Sequence, residues 1–422
     1  MIFVESQKEL DLFIQQWDNY PSTIYPVWVD LEKHPLNNDL SFLYIYFQDE
    51  QFVIGFNHVD CQPFQVDLSS STQPKRVFGK KKLLQTGLKI KNLKDISAEQ
   101  FFLHNKTISE REIVEKITNF YTRLGIHQNL GGVVPIMKWC EILKDFCSQY
   151  HSSDFPSLWV DDKVIPLLSV VERYGIGVVK GKFLDRFPNS TKHLNGTTIY
   201  TEYNPYTITS RPSNRHGGIN YSALNKGDGT REIFVPKKDH IFIQMDFEAY
   251  HPRLIGKLVG YDLPYLRVHQ WLASQYGTTI EEGKKITFRL LYGGIDVEFE
   301  EIEYFQKVNQ YINWLWEKSN RDGYLETKYR KIPIEWIEDV NPQKLFNYLL
   351  QATETEYNME KMESVLSYIK NTRVELTLYT YDSFLFSYPV EDDTTHALKL
   401  KEILEEGGFP IKVSWGADYS RV

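Results

Sequence analysis

An apolar, β-branched run, Ile241-Phe242-Ile243, leads into Met245-Asp246-Phe247-Glu248-Ala249-Tyr250-His251-Pro252-Arg253. Such a run predicts a strand, and its end presents Asp246, a carboxylate able to hold a metal. Much later a second apolar run ends in Tyr381-Asp382-Ser383. Two strands that each finish in an aspartate, with helical sequence between them, restrict the chain to a mixed α/β fold of the α+β kind. Antiparallel strands carry the acids, and helices are inserted between the strands.

The inserted sequence includes Lys284-Lys285-Ile286-Thr287-Phe288-Arg289-Leu290-Leu291-Tyr292-Gly293. Lys284, Phe288 and Tyr292 recur at i, i+4 and i+8, which is one helix face. As a core stripe that face packs inward and Lys284 snorkels. As a substrate face it offers a cation to a triphosphate and rings to a base and sugar. Spacing leaves both readings open. Gly293-Gly294 permits close approach of a template backbone or of the next element. Either aspartate taken alone also reads as a turn or cap residue. Taken with the helix, the pair points to nucleotidyl transfer with two Mg²⁺ ions about 3.5–4 Å apart, which stabilise the attacking and leaving oxygens. Asp246 and Asp382 are the expected ligands, and the Phe247 carbonyl is a further oxygen.

The chain has 422 residues, enough for two or three domains. Hydrophobic residues make up 42% and aromatic residues 14%, so the chain can bury a large core and disorder is not expected. No 18-residue apolar run is present, so no membrane span is expected. Met1-Ile2-Phe3-Val4-Glu5 lacks a basic region followed by an apolar one, so a cytoplasmic location is expected, or the host cytoplasm for a viral protein. Cys61, Cys140 and Cys147 have no metal-ligand spacing and read as buried thiols. A net charge of −8 argues weakly against a chain coated in nucleic acid. Basic residues nonetheless cluster at Lys80-Lys81-Lys82, Lys89-Ile90-Lys91 and Lys284-Lys285. Taken singly, each cluster reads as a solvated face.

Strands are expected over Tyr25 to Leu31, 43–47 and 52–56, and a loop over 62–75. Helical periods follow at about 97–104, 109–123, 133–148 and 164–174. From residue 240 the expected order is a strand, then helices at 249–260, 264–275, 281–293 and 298–318. A hairpin at 323–334, a long helix at 342–368, a hairpin at 373–388, a helix at 392–406 and a strand at 410–415 complete it.

In this order the residues resemble the family A DNA polymerases. Val164-Ile165-Pro166-Leu167-Leu168 to Glu172-Arg173-Tyr174-Gly175-Ile176 is similar to the helix before that family's thumb. Ser210-Arg211-Pro212-Ser213-Asn214, Asn220 and Thr230-Arg231-Glu232-Ile233-Phe234 resemble the approach to motif A, and Asp246 to Arg253 resembles motif A itself. Lys284-xxx-Phe288-xxx-Tyr292-Gly293 resembles motif B, Asn347-xxx-Gln351 the pair on the long palm helix, and Tyr381-Asp382-Ser383 motif C. The closing Phe409 to Trp415 resembles the family's C-terminal strand. The resemblance implies a right-hand palm and fingers domain over 161–422. Residues 201–250 and 340–422 would form the palm, 251–339 the fingers and connections, and 161–200 a vestigial thumb region. It implies that Asp246 and Asp382 hold two Mg²⁺, that Lys284 meets the triphosphate, and that Phe288, Tyr292, His251 and Phe247 shape the nucleotide pocket. Arg211, Asn347, Gln351, Gly293 and Arg231 would then contact primer-template DNA, with dNTPs as the other substrate. Contacts in the minor groove test pair geometry, because acceptors there are shared among base pairs.

The sequence also departs from the family. Ile280 stands where an arginine is usual one turn before Lys284, with Lys285 and Arg289 as substitutes. His251 stands where a glutamate usually screens the ribose 2′-hydroxyl. Tyr381 and Ser383 replace the histidine and second acid of motif C. Only about a dozen residues separate Phe183 from Thr197, too few for a helical thumb. Weak processivity is therefore expected, with a processivity or replisome partner supplying the grip.

Residues 1–160 resemble, more loosely, the family's RNase H-like 3′–5′ exonuclease domain. Val29-Asp30-Leu31-Glu32 resembles its first motif, with Asp30 and Glu32 on one strand face, and Tyr150-His151-Ser152-Ser153-Asp154 its third. Lysines 80–82 occupy the second motif, where an aspartate is usual; Asp60 and Asp95 are nearby. A degenerate proofreading domain that touches DNA through Lys80 to Lys82 is expected. The sequence thus reads as a compact phage-type DNA polymerase of replication or repair. A ribonucleotide-using primase-like enzyme and a non-catalytic polymerase-derived nucleic-acid-binding protein are the alternatives.

Overall fold

The computed structural model describes residues 1–48, 50–123, 130–214 and 218–422. It is a mixed α/β structure of two compact units. Unit 1 is Met1–Arg173 with Phe187–Thr201, and unit 2 is Tyr174–Arg186 with Glu202–Val422. The division falls beyond residue 160, because residues 165–173 are tied into unit 1 by polar contacts. Glu172 takes Lys81 and Gln85 as partners, and Arg173 donates to the Leu84 carbonyl at 2.8 Å.

Unit 1 is built on a mixed six-stranded sheet in the order Ile2–Phe3, Glu50–Gly55, Leu40–Phe47, Ser22–Trp28, Lys75–Val77, Leu93–Asp95. Both faces are covered, so the central strands read as continuous apolar runs. Ile24 and Trp28 face the core that holds Phe13 and Trp17 of the Gln7–Asn19 helix. Tyr25 and Val27 face the opposite core, with Trp139 and Leu143 of the Ile136–Tyr150 helix. That alternation is the two-residue period of a strand. Residues 187–201 contribute only the three-ten turn Pro188–His193 and a hairpin of two-residue strands.

Unit 2 centres on a four-stranded antiparallel sheet ordered Glu375–Thr380, Ser383–Pro389, His240–Phe247, Ile411–Gly416. The register sets Asp246 opposite Ser383 on one side and Lys412 on the other. Pro342–Ile369 is the longest helix, capped by Asn341, whose side chain accepts from the Lys344 amide, with Pro342 at its first position. Helices Tyr250–Val259, Val268–Tyr276, Ile280–Gly293 and Glu303–Asp322 lie in the chain between the two acid-bearing strand ends. Thr279 caps Ile280–Gly293 through the Glu282 amide, and Thr279 with Glu282 has the capping-box pattern.

Several bounds move from the sequence reading. The second inserted helix begins at Val268, after Arg267 in the left-handed region, and the fourth at Glu303. The helices Gln7–Asn19 and Lys180–Arg186 were not expected. The first strand ends at Trp28, so Asp30 and Glu32 do not share a strand face. Asp30 instead accepts the Glu32 amide at 3.0 Å, a side-chain turn that needs a bent backbone. Among the described residues no helix is long and apolar enough to cross a membrane.

Candidate active site

The His240–Phe247 and Ser383–Pro389 strands are neighbours, and the Phe247 amide donates to the Asp382 carbonyl at 3.1 Å. This pairing sets the Asp246 and Asp382 carboxylates side by side on the wall of a cavity of about 400 Å³. Burial, then the charges of Asp246 and Glu354, push the Asp382 carboxyl up to about 6. Gln244 Nε2 donates to Asp246 Oδ2 at 2.6 Å. Crowded carboxylates of this kind repel one another, and a divalent cation between them would relieve the repulsion, so the pair fits Mg²⁺. Phe247 also lines the cavity. Its ring is buried, stacked on Tyr250 at 4.5 Å, so what it offers the cavity is backbone.

The Ile280–Gly293 helix supplies the facing wall. Lys284, Phe288 and Tyr292 all line the cavity, and the rings of Phe288 and Tyr292 stack at 5.9 Å with an interplanar angle of 5°. The face is thus a cavity face and not a core stripe. The core-directed residues are Gly283, Thr287, Leu290 and Leu291. Gly283 is required by close approach: a Cβ there would stand 2.7 Å from Ala273 Cβ of the neighbouring helix. Tyr276 and Thr287 hydroxyls bond at 2.9 Å across the same contact.

His251 and Arg211 complete the wall. His251 Nδ1 bonds the Tyr292 hydroxyl. The Arg211 guanidinium lies over the Tyr381 ring at 3.6 Å. Ser210, Ala249 and Tyr381 carry φ of 58°, 51° and 56°, and all three adjoin cavity residues. Left-handed backbone at residues other than glycine costs about 1–3 kcal/mol each and gathers at functional sites.

The other expected contacts are placed less directly. Asn347 Nδ2 donates to the Tyr292 carbonyl at 3.3 Å, so it braces the end of the helix. Gln351 is half-buried one turn further on and does not line the cavity. Gly293 is exposed, with nothing within 4 Å of an added Cβ. Arg231 is 8% exposed, packs over Tyr419 at 4.7 Å and donates to the Leu224 carbonyl, so its guanidinium is engaged inside unit 2 and away from the cavity. Arg289, a suggested stand-in for the arginine missing at Ile280, pairs with Asp296 at 2.5 Å.

The structure adds lining residues that the sequence reading did not single out: Glu354, His269 and Lys412. Lys412 follows from register, because it lies directly across from Asp246. Glu354 lies on the Asn347 and Gln351 helix, one turn beyond Gln351. Its spacing was a usable signal. Its burial, shared with Glu356 on the same helix, was not.

In unit 1 the expected acids do not form a metal site. Asp30 pairs with Lys33 at 3.5 Å. Tyr150 packs on Phe146, and the Asp154 carbonyl accepts from Arg76. Asp60 accepts the Ile136 amide at 3.1 Å, and Asp95 caps the Ile96–His104 helix. The lysines expected to touch DNA are engaged instead: Lys80 with Asp161 at 2.9 Å, Lys81 with Glu172 at 2.5 Å and Lys82 with Glu110 at 3.2 Å. Lys80 and Lys81 are buried, so those two are not placed to touch DNA, whereas Lys82 is only half-buried. Among the described residues no group of three or more His, Cys, Asp or Glu is placed to hold a metal.

This architecture is the fold of a DNA polymerase domain. A solved structure of the POL domain of Pol1 from M. smegmatis, in complex with DNA primer-template and dNTP, matches with a TM-score of 0.71 over 100% of each chain, at 15% identity. No family model and no curated protein matches the chain.

Proposed function

We propose that the chain is a template-directed DNA polymerase that joins a primer 3′-hydroxyl to the α-phosphate of a dNTP, releasing pyrophosphate. The observation that carries this reading is the pairing of Asp246 and Asp382 on one cavity wall, opposite Lys284, Phe288 and Tyr292, within a polymerase-type fold. Two Mg²⁺ held by the aspartates and the Phe247 carbonyl would supply charge stabilisation at the attacking and leaving oxygens. Lys284 would meet the triphosphate, Phe288 and Tyr292 the base and sugar, and Arg211 the primer-template. Primer extension with Mg²⁺ tests this: the unaltered chain extends, and Asp246→Ala and Asp382→Ala do not. Extension surviving both substitutions would overturn it. Parallel reactions with rNTPs and with His251→Glu decide the sugar used.

The short 187–201 segment supports weak processivity, with a partner supplying the grip on duplex product. Long products from the isolated chain under single-hit conditions would remove the need for one. Unit 1 is proposed as an exonuclease-like domain without nuclease activity, because Asp30 and Glu32 do not share a strand face and lysines stand where the second acidic motif is usual. Digestion of a 3′-mismatched primer, lost in Asp30→Ala, would reverse that.

A further inference from the structure

Glu354 is 1% exposed, yet it reaches the cavity wall. Its Oε2 lies 3.2 Å from Arg211 Nε and its Oε1 lies 3.1 Å from His251 Nε2. Neither contact has hydrogen-bond angles, so Glu354 Oε2, Arg211 Nε and His251 Nε2 are buried polar atoms short of a partner. A carboxylate kept purely for stability would be fully bonded and away from like charge. This one stands close enough to Asp382 to add to the crowding there. Both of its neighbours are gripped on the far side, Arg211 by the Tyr381 ring and His251 by the Tyr292 hydroxyl. The result is a continuous line, Tyr381–Arg211–Glu354–His251–Tyr292. One end is the turn that carries Asp382, and the other is the Ile280–Gly293 helix.

We propose that Glu354 is a positioning residue that ties Arg211 to His251, so that the primer side and the nucleotide side of the pocket are set together. The proposal rests on the polymerase reading above and names a residue that reading does not require. A tie of this kind makes the two ends interdependent: releasing either one removes most of what the other contributes.

The test is a set of double-mutant cycles. Primer extension is measured for Arg211→Ala, His251→Ala and the double variant, each in the unaltered and in the Glu354→Gln background. In the unaltered background each single change should lower kcat/KM by roughly 10-fold, and the double variant should lose little more than either. After Glu354→Gln, which should itself lose about 10-fold, adding either change should cost less than about 2-fold. Losses that multiply in both backgrounds would overturn the tie. The same cycles read on the unfolding midpoint need no turnover and no change at position 354. Additive shifts for Arg211→Ala and His251→Ala there would also overturn it. Mg²⁺-dependent extension that disappears in Asp246→Ala checks the polymerase reading separately. If that reading fails, the stability cycles still decide the tie.

Discussion

Each unit gathers acidic side chains, and the two units treat them in opposite ways. In unit 1, Asp161 and Glu172 are buried against Lys80 and Lys81. Asp95 is buried too, and accepts the Lys80 and Ala98 amides. In unit 2, Asp246 and Asp382 face a cavity, and burial and mutual repulsion raise the Asp382 carboxyl. A carboxylate cluster filled by ammonium groups is a staple. One left open to a cavity is a place for a cation.

The comparison is broken most severely by removing an open acid. Asp246→Ala or Asp382→Ala should lower extension by roughly 10⁴-fold, about 5 kcal/mol, with the unfolding midpoint nearly unchanged. Steady-state extension and a melt measured together check both halves. A stapled acid should do the reverse. Lys81→Met leaves Glu172 buried without its ammonium partner and should destabilise the fold by about 3–5 kcal/mol in denaturant unfolding. Mg²⁺ binding to unit 2 should be unaffected, and a loss of cation affinity in this variant would blur the contrast. Lys284→Ala should raise the KM for dNTP roughly 10–100-fold while leaving primer-template affinity alone, as read by separate titrations.

The smallest effect concerns pH. The Asp382 carboxyl is raised above its unfolded value, so its protonated form favours the cation-free fold at low pH, and that contribution fades as pH rises through about 6. Cation binding must expel the proton. Affinity for Mn²⁺ should therefore rise up to about 10-fold per unit below pH 6 and level off above it. A calorimetric titration series gives the profile, and affinity independent of pH would count against Asp382 as a ligand.

Much of unit 2 was legible in the sequence because its signals are local. A β-branched run ending in aspartate marks a strand end, and Lys284, Phe288 and Tyr292 mark a helix face by period alone. The structure decides only which way that face points. Unit 1 was misread where its partners are distant in sequence. Lys80-Lys81-Lys82 has the look of a solvated or DNA-facing run, yet Asp161 and Glu172, from much further along the chain, draw two of the three lysines inside. Asp30 and Glu32 fit a strand pattern by alternation, but the strand stops at Trp28 and the Asp30 side chain closes a turn. Glu354 escaped notice because its burial comes from tertiary packing against residues on two other segments.

The contact of Gly283 with Ala273 has one more consequence. With no side chain on Gly283 and only a methyl on Ala273, Val268–Tyr276 and Ile280–Gly293 pack at close range, so a tilt of either helix would carry the other along. His269, Lys284, Phe288 and Tyr292 then travel together, like teeth on one jaw. Asn347 holds the end of this row through the Tyr292 carbonyl, so an Asn347→Ala change would loosen the row without altering any side chain in it.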